Sequence, residues 1–100
     1  MANRVVFTAV AEADLTSLLD YIEEHSGKAR ALAYVGRIEA ACQNLALFPE
    51  RGVQRDDIRP RTRVISIGRR VLVAFHLNQG VVKIDRVLYG GRDLAAAFPD

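Results

Sequence analysis

Two apolar stripes with helical spacing, joined by a very short link, constrain the fold of this chain more than any other feature of its sequence. The first stripe follows a predicted N-cap at Thr8, and its members are Ala11, Leu15, Leu18 and Ile22. The second lies in a predicted helix over residues 28–48 that Pro49 ends, and its members are Ala31, Val35, Ile38, Cys42 and Leu45. The segment His25-Ser26-Gly27 separates them. A link this short between two amphipathic helices predicts an antiparallel helical hairpin.

Short runs of β-forming residues flank this hairpin on both sides. A strand is predicted over residues 4–7. Three further strands, separated by tight turns, are predicted over residues 61–67, 70–77 and 81–89. A polar connection over 50–60 precedes them, and a short helix is predicted over 93–98. The order predicts an α+β fold: an N-terminal strand, the antiparallel helical hairpin packed on a three- to four-stranded antiparallel sheet, and a short C-terminal helix.

The predicted strand over residues 81–89 contains one charged residue on an otherwise apolar face. Strict alternation places Val82, Ile84, Arg86 and Leu88 together on that face. The charge of Arg86 must therefore be paired within the protein or be directed at a partner. Its intramolecular candidates are Asp85, Asp93 and a carboxylate on one of the helices.

Composition excludes several classes of protein. A chain of 100 residues forms one domain, and 50% hydrophobic with 26% charged residues is the globular average rather than the composition of a disordered chain. No apolar run approaches the ~18 residues of a membrane span, and no signal-peptide-like segment follows Met1. One cysteine and two histidines predict neither an internal disulfide nor a zinc site. We therefore expect a cytoplasmic single domain over residues 1–100, without metal, cofactor or membrane contact.

Positive charge is concentrated in the second half of the chain, almost entirely as arginine. Residues 51–100 carry ten Arg and Lys against five Asp, whereas residues 1–50 carry four Arg and Lys against seven acidic residues. Guanidinium groups bind phosphates and carboxylates, so an acidic protein partner and a nucleic acid fit this charge equally well. The arginines on or beside the predicted strands are Arg63, Arg69, Arg70, Arg86 and Arg92.

His76, Lys83 and Tyr89 are the residues near these arginines whose side chains have usable proton chemistry. Cleavage of a phosphodiester by its 2′-hydroxyl needs a base, an acid and cations around the phosphorane. The spacing of the three residues is not diagnostic of such a site. A packed or surface role for His76, and a packing role for Tyr89, remain open alternatives. Cys42 lies on the second apolar stripe, which predicts a buried and inert thiol.

Four segments in order resemble one family of bacterial proteins. This family is the ParE toxins, in the RelE/ParE superfamily of toxin–antitoxin systems. The segment 9–22 is similar to the family's first helix, and the segments 37–39 and 45–52 resemble its second helix and the turn after it. The segment 84–94 is similar to its closing strand and tail. The resemblance implies a toxin held inactive by an antitoxin that has a ribbon-helix-helix DNA-binding half and a tail that wraps the toxin. It also implies DNA gyrase as the target in the ParE branch, and mRNA on the ribosome in the RelE branch.

The choice between these two branches depends on a few positions. Arg92 matches an arginine common to both, whereas Tyr89 stands where ParE-like chains often have His, and His76 where they often have Arg. The lysine-rich strand of the mRNA-cutting branch is missing, because the chain has no lysines besides Lys28 and Lys83. The long helical hairpin also favours ParE. The resemblance therefore implies a toxin that is neutralised by a ParD-like antitoxin, inhibits gyrase, contributes to plasmid stabilisation and meets DNA only through the antitoxin.

Under this hypothesis no residue is catalytic. The expected target- or antitoxin-binding residues are Arg63, Arg70, Arg86, Tyr89 and Arg92. The alternative is a ribosome-dependent mRNA endoribonuclease of the RelE type, whose catalytic residues would be His76, Tyr89 and Arg92.

Overall fold

The computed structural model describes residues 3–90 of the chain. In chain order its elements are β1 (Arg4–Phe7), α1 (Ala9–Ser26), α2 (Lys28–Gln43), a 3₁₀ turn (Asn44–Ala46), β2 (Val53–Gln54), β3 (Arg63–Ile67), β4 (Val71–Asn78) and β5 (Val81–Tyr89). Arg92 and the helix predicted over residues 93–98 lie outside the described residues. No helix within residues 3–90 is long and apolar enough to cross a membrane.

The predicted helical hairpin is present, and Gly27 alone links its two helices. The hydroxyl of Thr8 accepts a hydrogen bond from the Ala11 N–H at 3.1 Å, as expected of an N-cap. Gly27 adopts a φ of 90°, a conformation that strains residues with a Cβ, and its N–H donates to the carbonyl of Glu23. The chain turns sharply at this point, and the apolar stripes of α1 and α2 enter one core.

The second helix is shorter than predicted. It ends at Gln43, and the chain then tightens into the 3₁₀ turn, although a helix over residues 28–48 was expected. Pro49 lies six residues beyond the end of α2, so it limits helix formation past residue 48 but does not explain the end of the α-helix at Gln43. Leu45 is nevertheless fully buried with the rest of the predicted stripe.

The sheet is mixed, with the strand order β1-β5-β4-β3-β2. Strands β2 to β5 pair antiparallel with their sequence neighbours, whereas β1 lies parallel to β5, with Arg4 opposite Val81 and Phe7 opposite Ile84. The α+β class, with a helical hairpin on a sheet, is confirmed. The sheet differs from the prediction in having five strands, one of them parallel. The additional strand, β2, falls in the polar stretch over 50–60, where no alternation marks it.

The helices cover one face of the sheet. Their apolar stripes pack there against Val71, Val73, Phe75, Val82, Ile84 and Val87. The opposite face carries a smaller apolar cluster, formed by Val64, Ala74 and Leu88 with Ile58 and Leu72 packed beside them. Burial on both faces explains why the sequence of β4 is almost continuously apolar.

An extra residue in β5 changes which of its side chains share a face. Ala74 pairs with Arg86 but Phe75 pairs with Ile84, so Asp85 has no partner on β4. Ile84 and Val87 therefore both face the helices. The prediction that Arg86 shares a face with Ile84 was wrong, because it assumed an unbroken alternation along the strand.

Candidate functional site

A groove opens where the C-terminal end of β5 meets the helical hairpin. Its volume is about 620 Å³, in the range of small-molecule and side-chain binding clefts. Six of its lining residues are Tyr21, His25, Arg30, Tyr34, Arg37 and Tyr89. The ring centroid of Tyr89 lies 5.9 Å from that of Tyr21 and 6.1 Å from that of Tyr34. The lining of the groove therefore combines aromatic rings with cationic side chains.

Helical spacing explains why these side chains lie on the same side of each helix. Arg30, Tyr34 and Arg37 lie at positions i, i+4 and i+7 of α2 and so share one face of that helix. The guanidinium of Arg37 lies 5.4 Å from the ring centre of Tyr34, within the range of a cation–π contact. Tyr21 and His25 are one turn apart on α1, with ring centroids 4.3 Å apart.

The polar atoms of the groove are positioned to bind an anion. Arg30 and Arg37 line the groove, and among residues 3–90 no carboxylate lines it and none pairs with either guanidinium. Nδ1 of His25 lies 2.8 Å from the carbonyl oxygen of Tyr21; a carbonyl only accepts, so Nδ1 carries the proton and Nε2 of the neutral ring is left as an acceptor. Two unpaired guanidinium groups beside aromatic rings favour a ligand that carries negative charge and an apolar or planar group.

A second cavity of about 460 Å³ adjoins the groove and shares Tyr21 and Tyr89 with it. Arg70, in the turn between β3 and β4, lines this second cavity, and its carbonyl accepts a hydrogen bond from the Gly90 N–H at 3.0 Å. Two of the residues singled out in the sequence, Arg70 and Tyr89, therefore lie at one site.

Arg86 is paired with a helix carboxylate, one of the alternatives that the sequence left open. Its guanidinium forms a bidentate ion pair with Asp14, with Nε–Oδ2 and Nη2–Oδ1 distances of 2.8 and 3.0 Å. The same carboxylate accepts the Val87 N–H at 2.9 Å. The ladder between β1 and β5 ends at Phe7 and Ile84, so this carboxylate satisfies an N–H beyond the reach of β1. The hydrogen bonds that Arg86 donates to Asp14 raise the pKa of the guanidinium above its ordinary value, against a smaller effect of burial.

His76 forms a separate pair with Asp85 on the face of the sheet opposite the helices. Nδ1 of His76 and Oδ2 of Asp85 are 2.7 Å apart, and 29% of the histidine side chain is exposed. The hydroxyl of Thr8 donates to the carbonyl of Asp85 at 3.2 Å and so anchors the bulge that carries the carboxylate. Lys83 is the cross-strand neighbour of His76 on β5.

The structure does not bring His76 and Tyr89 together. Tyr89 lies opposite Val71, five residues along β4 from His76, a separation of about 17 Å at the usual strand rise. Tyr89 also packs on the helix side, whereas His76 neighbours Phe75 in the alternation of β4 and points to the other side. Arg63, at the start of β3, lies opposite Phe75 and so one residue along β4 from His76, and its Nη1 donates to the carbonyl of Glu50 at 2.7 Å.

The remaining candidate, Cys42, is buried as predicted. Burial, together with the charge of Glu39, raises the pKa of its thiol to about 12. A thiol with so little thiolate at neutral pH is unreactive. Within residues 3–90, no group of His, Cys, Asp and Glu is arranged to hold a metal ion.

Five of these groove residues were not identified from the sequence: Tyr21, His25, Arg30, Tyr34 and Arg37. Each one alone is an ordinary exposed or half-buried side chain of an amphipathic helix. The spacing of Arg30, Tyr34 and Arg37 on one face of α2 was the available signal. Their role as a site depends on the end of β5, which the helix pattern does not locate.

Comparison with known proteins gives consistent similarities over nearly the whole chain. The family profile described as "ParE toxin of type II toxin-antitoxin system, parDE" matches residues 5–94. The chain is 36% identical over 94 residues to Toxin ParE3 of Caulobacter vibrioides, covering 94% of this chain and 93% of that protein. It is 28% identical over 94 residues to Toxin ParE1 of Mycobacterium tuberculosis, covering 94% and 96%. A solved structure of the chromosomal ParDE TA system from P. aeruginosa has the same fold, with a TM-score of 0.78 at 22% identity over 88% of this chain and 96% of that one.

Proposed function

The chain belongs to the ParE toxin family of type II toxin–antitoxin systems, and from that premise we propose that it inhibits DNA gyrase and is neutralised by a ParD-like antitoxin. The proposed activity is binding rather than catalysis. Gyrase and the antitoxin would both be met in the cytoplasm, and DNA would be reached only through the antitoxin. A contribution to plasmid stabilisation belongs to the same proposal.

The observation that supports this proposal best is the groove at the end of β5. Aromatic and arginine side chains are the types that dominate the binding energy of protein interfaces, and this groove combines Tyr21, Tyr34 and Tyr89 with Arg30 and Arg37. Arg70 adds a further cation beside it. We assign this surface to the target, with an acidic segment of gyrase as the group that it contacts.

The five residues expected from the sequence take different parts in this proposal. Arg70 and Tyr89 contact the target. Arg86 positions the end of β5 through Asp14 instead of contacting a partner, because its guanidinium is already hydrogen-bonded within the chain. Arg63 lies elsewhere on the surface, and Arg92 is kept as a target- or antitoxin-binding residue on the resemblance alone.

Supercoiling by purified gyrase tests the proposal. Relaxed plasmid and ATP are incubated with gyrase across a titration of this protein freed from its antitoxin. We expect loss of supercoiled product with accumulation of linear DNA, and restoration of supercoiling when the antitoxin is added. Full supercoiling at a large molar excess of the protein, under conditions where its expression still arrests growth, would overturn the gyrase assignment.

A ribosome-dependent mRNA endoribonuclease is the second candidate, and the His76–Asp85 pair is the observation that favours it. A carboxylate that accepts the Nδ1 proton orients the ring and leaves Nε2 to exchange a proton with substrate. Lys83 on the neighbouring strand would supply a cation. Translating ribosomes incubated with the protein would then yield mRNA fragments that disappear with His76→Ala. Intact mRNA with the wild-type protein would remove this candidate.

A further inference from the structure

The groove between the helical hairpin and the end of β5 contains two guanidinium groups that no carboxylate neutralises. Arg30 and Arg37 are exposed, and within the part of the chain that the structure describes neither forms an ion pair. They lie seven residues apart on α2, about 10.5 Å along the helix axis. A chain of linked phosphates can offer oxygens to both guanidinium groups in parallel, whereas one carboxylate has only two oxygens to share between them.

Aromatic rings from three elements form another part of the lining. Tyr21 of α1, Tyr34 of α2 and Tyr89 of β5 contribute one ring each. Tyr21 exposes 49% of its surface, so its ring has room for a further contact. The ring planes of Tyr34 and Tyr89 are 84° apart, and those of Tyr21 and Tyr89 are 53° apart. A flat aromatic ligand can therefore lie against the face of one ring while its edge contacts another.

The tautomer of His25 adds a hydrogen-bond acceptor beside the arginines, which only donate. Because Nδ1 donates to the carbonyl of Tyr21, Nε2 of the neutral ring accepts. A carboxylate offers that nitrogen no donor, but the exocyclic amino group of a nucleobase does. The groove thus combines donors for phosphates, ring faces for a base and an acceptor for the amino group of that base.

We propose that the groove is a binding site for a nucleoside triphosphate whose base carries an amino group, such as ATP. The base stacks on the tyrosine rings and donates to Nε2 of His25, and the phosphates contact Arg30 and Arg37. The volume of the groove, about 620 Å³, is in the range of sites for ligands of this size. The proposal concerns binding alone and includes no chemical step on the nucleotide.

Isothermal titration calorimetry of the chain freed from its antitoxin tests the proposal. ATP, adenosine and inorganic triphosphate are titrated separately. We expect saturable binding of ATP, and binding weaker by about tenfold or more for either half of the molecule, because different side chains hold the base and the phosphates. Absence of saturable ATP binding up to millimolar concentration would overturn the proposal. Inorganic triphosphate that binds as tightly as ATP would overturn the role given to the base.

Two pairs of variants locate the site. Arg30→Gln removes a charge from the groove, and Arg51→Gln makes the same change near β2, which β3 and β4 separate from β5. Tyr21→Ala removes a ring, and Tyr21→Phe keeps it. We expect ATP binding to weaken about tenfold in Arg30→Gln and in Tyr21→Ala and to stay at the wild-type value in the two controls. Thermal unfolding checks that each variant is folded, and wild-type affinity in Arg30→Gln and Tyr21→Ala would overturn the assignment of ATP to this groove.

Two further titrations separate a free nucleotide from other anionic ligands. A single-stranded oligo(dA) that binds more tightly than ATP, and that loses affinity in Arg30→Gln, would assign the nucleotide to a nucleic-acid strand. A polyglutamate peptide that binds where ATP does not would assign the groove to acidic protein segments. Either result would overturn the free nucleotide as the ligand.

The same groove is assigned to gyrase, so ATP would compete with the target, a consequence that rests on the proposed function. With gyrase kept saturated by ATP throughout, the concentration of this protein for half-inhibition of supercoiling should rise as more ATP is added. A constant value would overturn the competition. ATP binding is measured on the isolated chain, so its absence leaves the gyrase assignment in place, and absence of gyrase inhibition leaves the nucleotide site in place.

Discussion

Arg86 forms an ion pair with Asp14, which connects the first helix to the last strand. The Asp14 carboxylate accepts hydrogen bonds from Nε and Nη2 of Arg86 and from the Val87 N–H. The side chains of Arg86 and Asp14 are 19% and 11% exposed, so solvent screens the pair only in part. Removal of one partner would leave a largely buried charge and an N–H without an acceptor.

Asp14→Asn tests how much this ion pair contributes to the free energy of unfolding. The amide keeps the size of the carboxylate but loses its charge and one acceptor, so we expect the free energy of unfolding to fall by about 2 to 4 kcal/mol. Denaturant unfolding followed by circular dichroism measures the change. Asp20→Asn, an exposed carboxylate on the same helix, is the matched control and should shift stability by less than about 0.5 kcal/mol. Equal, small effects of the two substitutions would contradict the structural role given to Arg86.

The pKa of the Cys42 thiol gives a prediction about alkaline stability. Burial raises this pKa to about 12, whereas an unfolded thiol ionises at about pH 8.5. Above pH 9 the unfolded chain releases a proton that the folded chain retains, so the free energy of unfolding falls as pH rises, by at most about 1.4 kcal/mol per pH unit from this group.

Unfolding of the wild type and of Cys42→Ala at several values between pH 8 and pH 11 isolates that contribution. Tyrosines and lysines titrate in both proteins, so the informative quantity is the difference in unfolding free energy between them. We expect this difference to move in favour of Cys42→Ala as pH rises. A difference independent of pH would show that the thiol ionises equally in the folded and unfolded states.

At the residue scale, the sequence identified a single unusual residue, Arg86, more readily than it identified the set of residues that forms the groove. Arg86 stands out because it is a charge among apolar neighbours, and one of the alternatives weighed for it, a helix carboxylate, is the observed one. Tyr21, Arg30 and Tyr34 gave no such signal, because aromatic and arginine residues are ordinary on the exposed side of a helix. They form a groove only because the end of β5 packs between the two helices.

At the scale of elements, local pattern predicted the helices well and the sheet less completely. The spacing of the apolar residues in α1 and α2 is a property of each helix alone, so the sequence displays it directly. β2 has two residues and both are exposed, so no alternation marks it. The bulge at Asp85 is one inserted residue, and it shifts the alternation in the second half of β5 without a distinctive residue type.

Gly52 is the element-scale position at which the fold depends most clearly on one residue type. It precedes β2 with a φ of 83°, and a Cβ there would lie 2.3 Å from the carbonyl oxygen of Val64. Gly52→Ala would therefore strain the backbone and push β2 away from β3.

We expect Gly52→Ala to lower the free energy of unfolding by about 2 to 4 kcal/mol, measured by thermal or urea unfolding. Gly36→Ala is the control: it lies within α2, no atom comes within 4 Å of its added Cβ, and the substitution should stabilise the helix by about 0.5 to 1 kcal/mol. Similar effects at the two glycines would contradict the close approach of residue 52 to β3.

At the scale of the whole molecule, the parallel pairing of β1 with β5 joins the two ends of the described chain. Arg4 lies opposite Val81, and this contact between distant residues leaves no trace in local periodicity. The pairing sets α1 to start beside the bulge of β5 and to run towards its end, which places Tyr21 against Tyr89. The groove is therefore a product of the topology, and no local pattern could have predicted it.

Two surfaces with different character result from this arrangement. The groove holds aromatic rings and unpaired cations between the helices and β5, whereas the edge at β2 holds exposed apolar side chains and an outward-facing backbone.

Inhibition of gyrase supercoiling by charge-reversed variants tests this account most directly. Arg30→Glu and Arg70→Glu place negative charge in the groove and its adjoining cavity, and Arg61→Glu makes the same change near β2. The account predicts that the concentration for half-inhibition rises about tenfold or more for the first two and stays at the wild-type value for Arg61→Glu, because like charges across an interface are repulsive. Undiminished inhibition by Arg30→Glu and Arg70→Glu would contradict the assignment of the groove to the target, and so would an equal loss in all three variants.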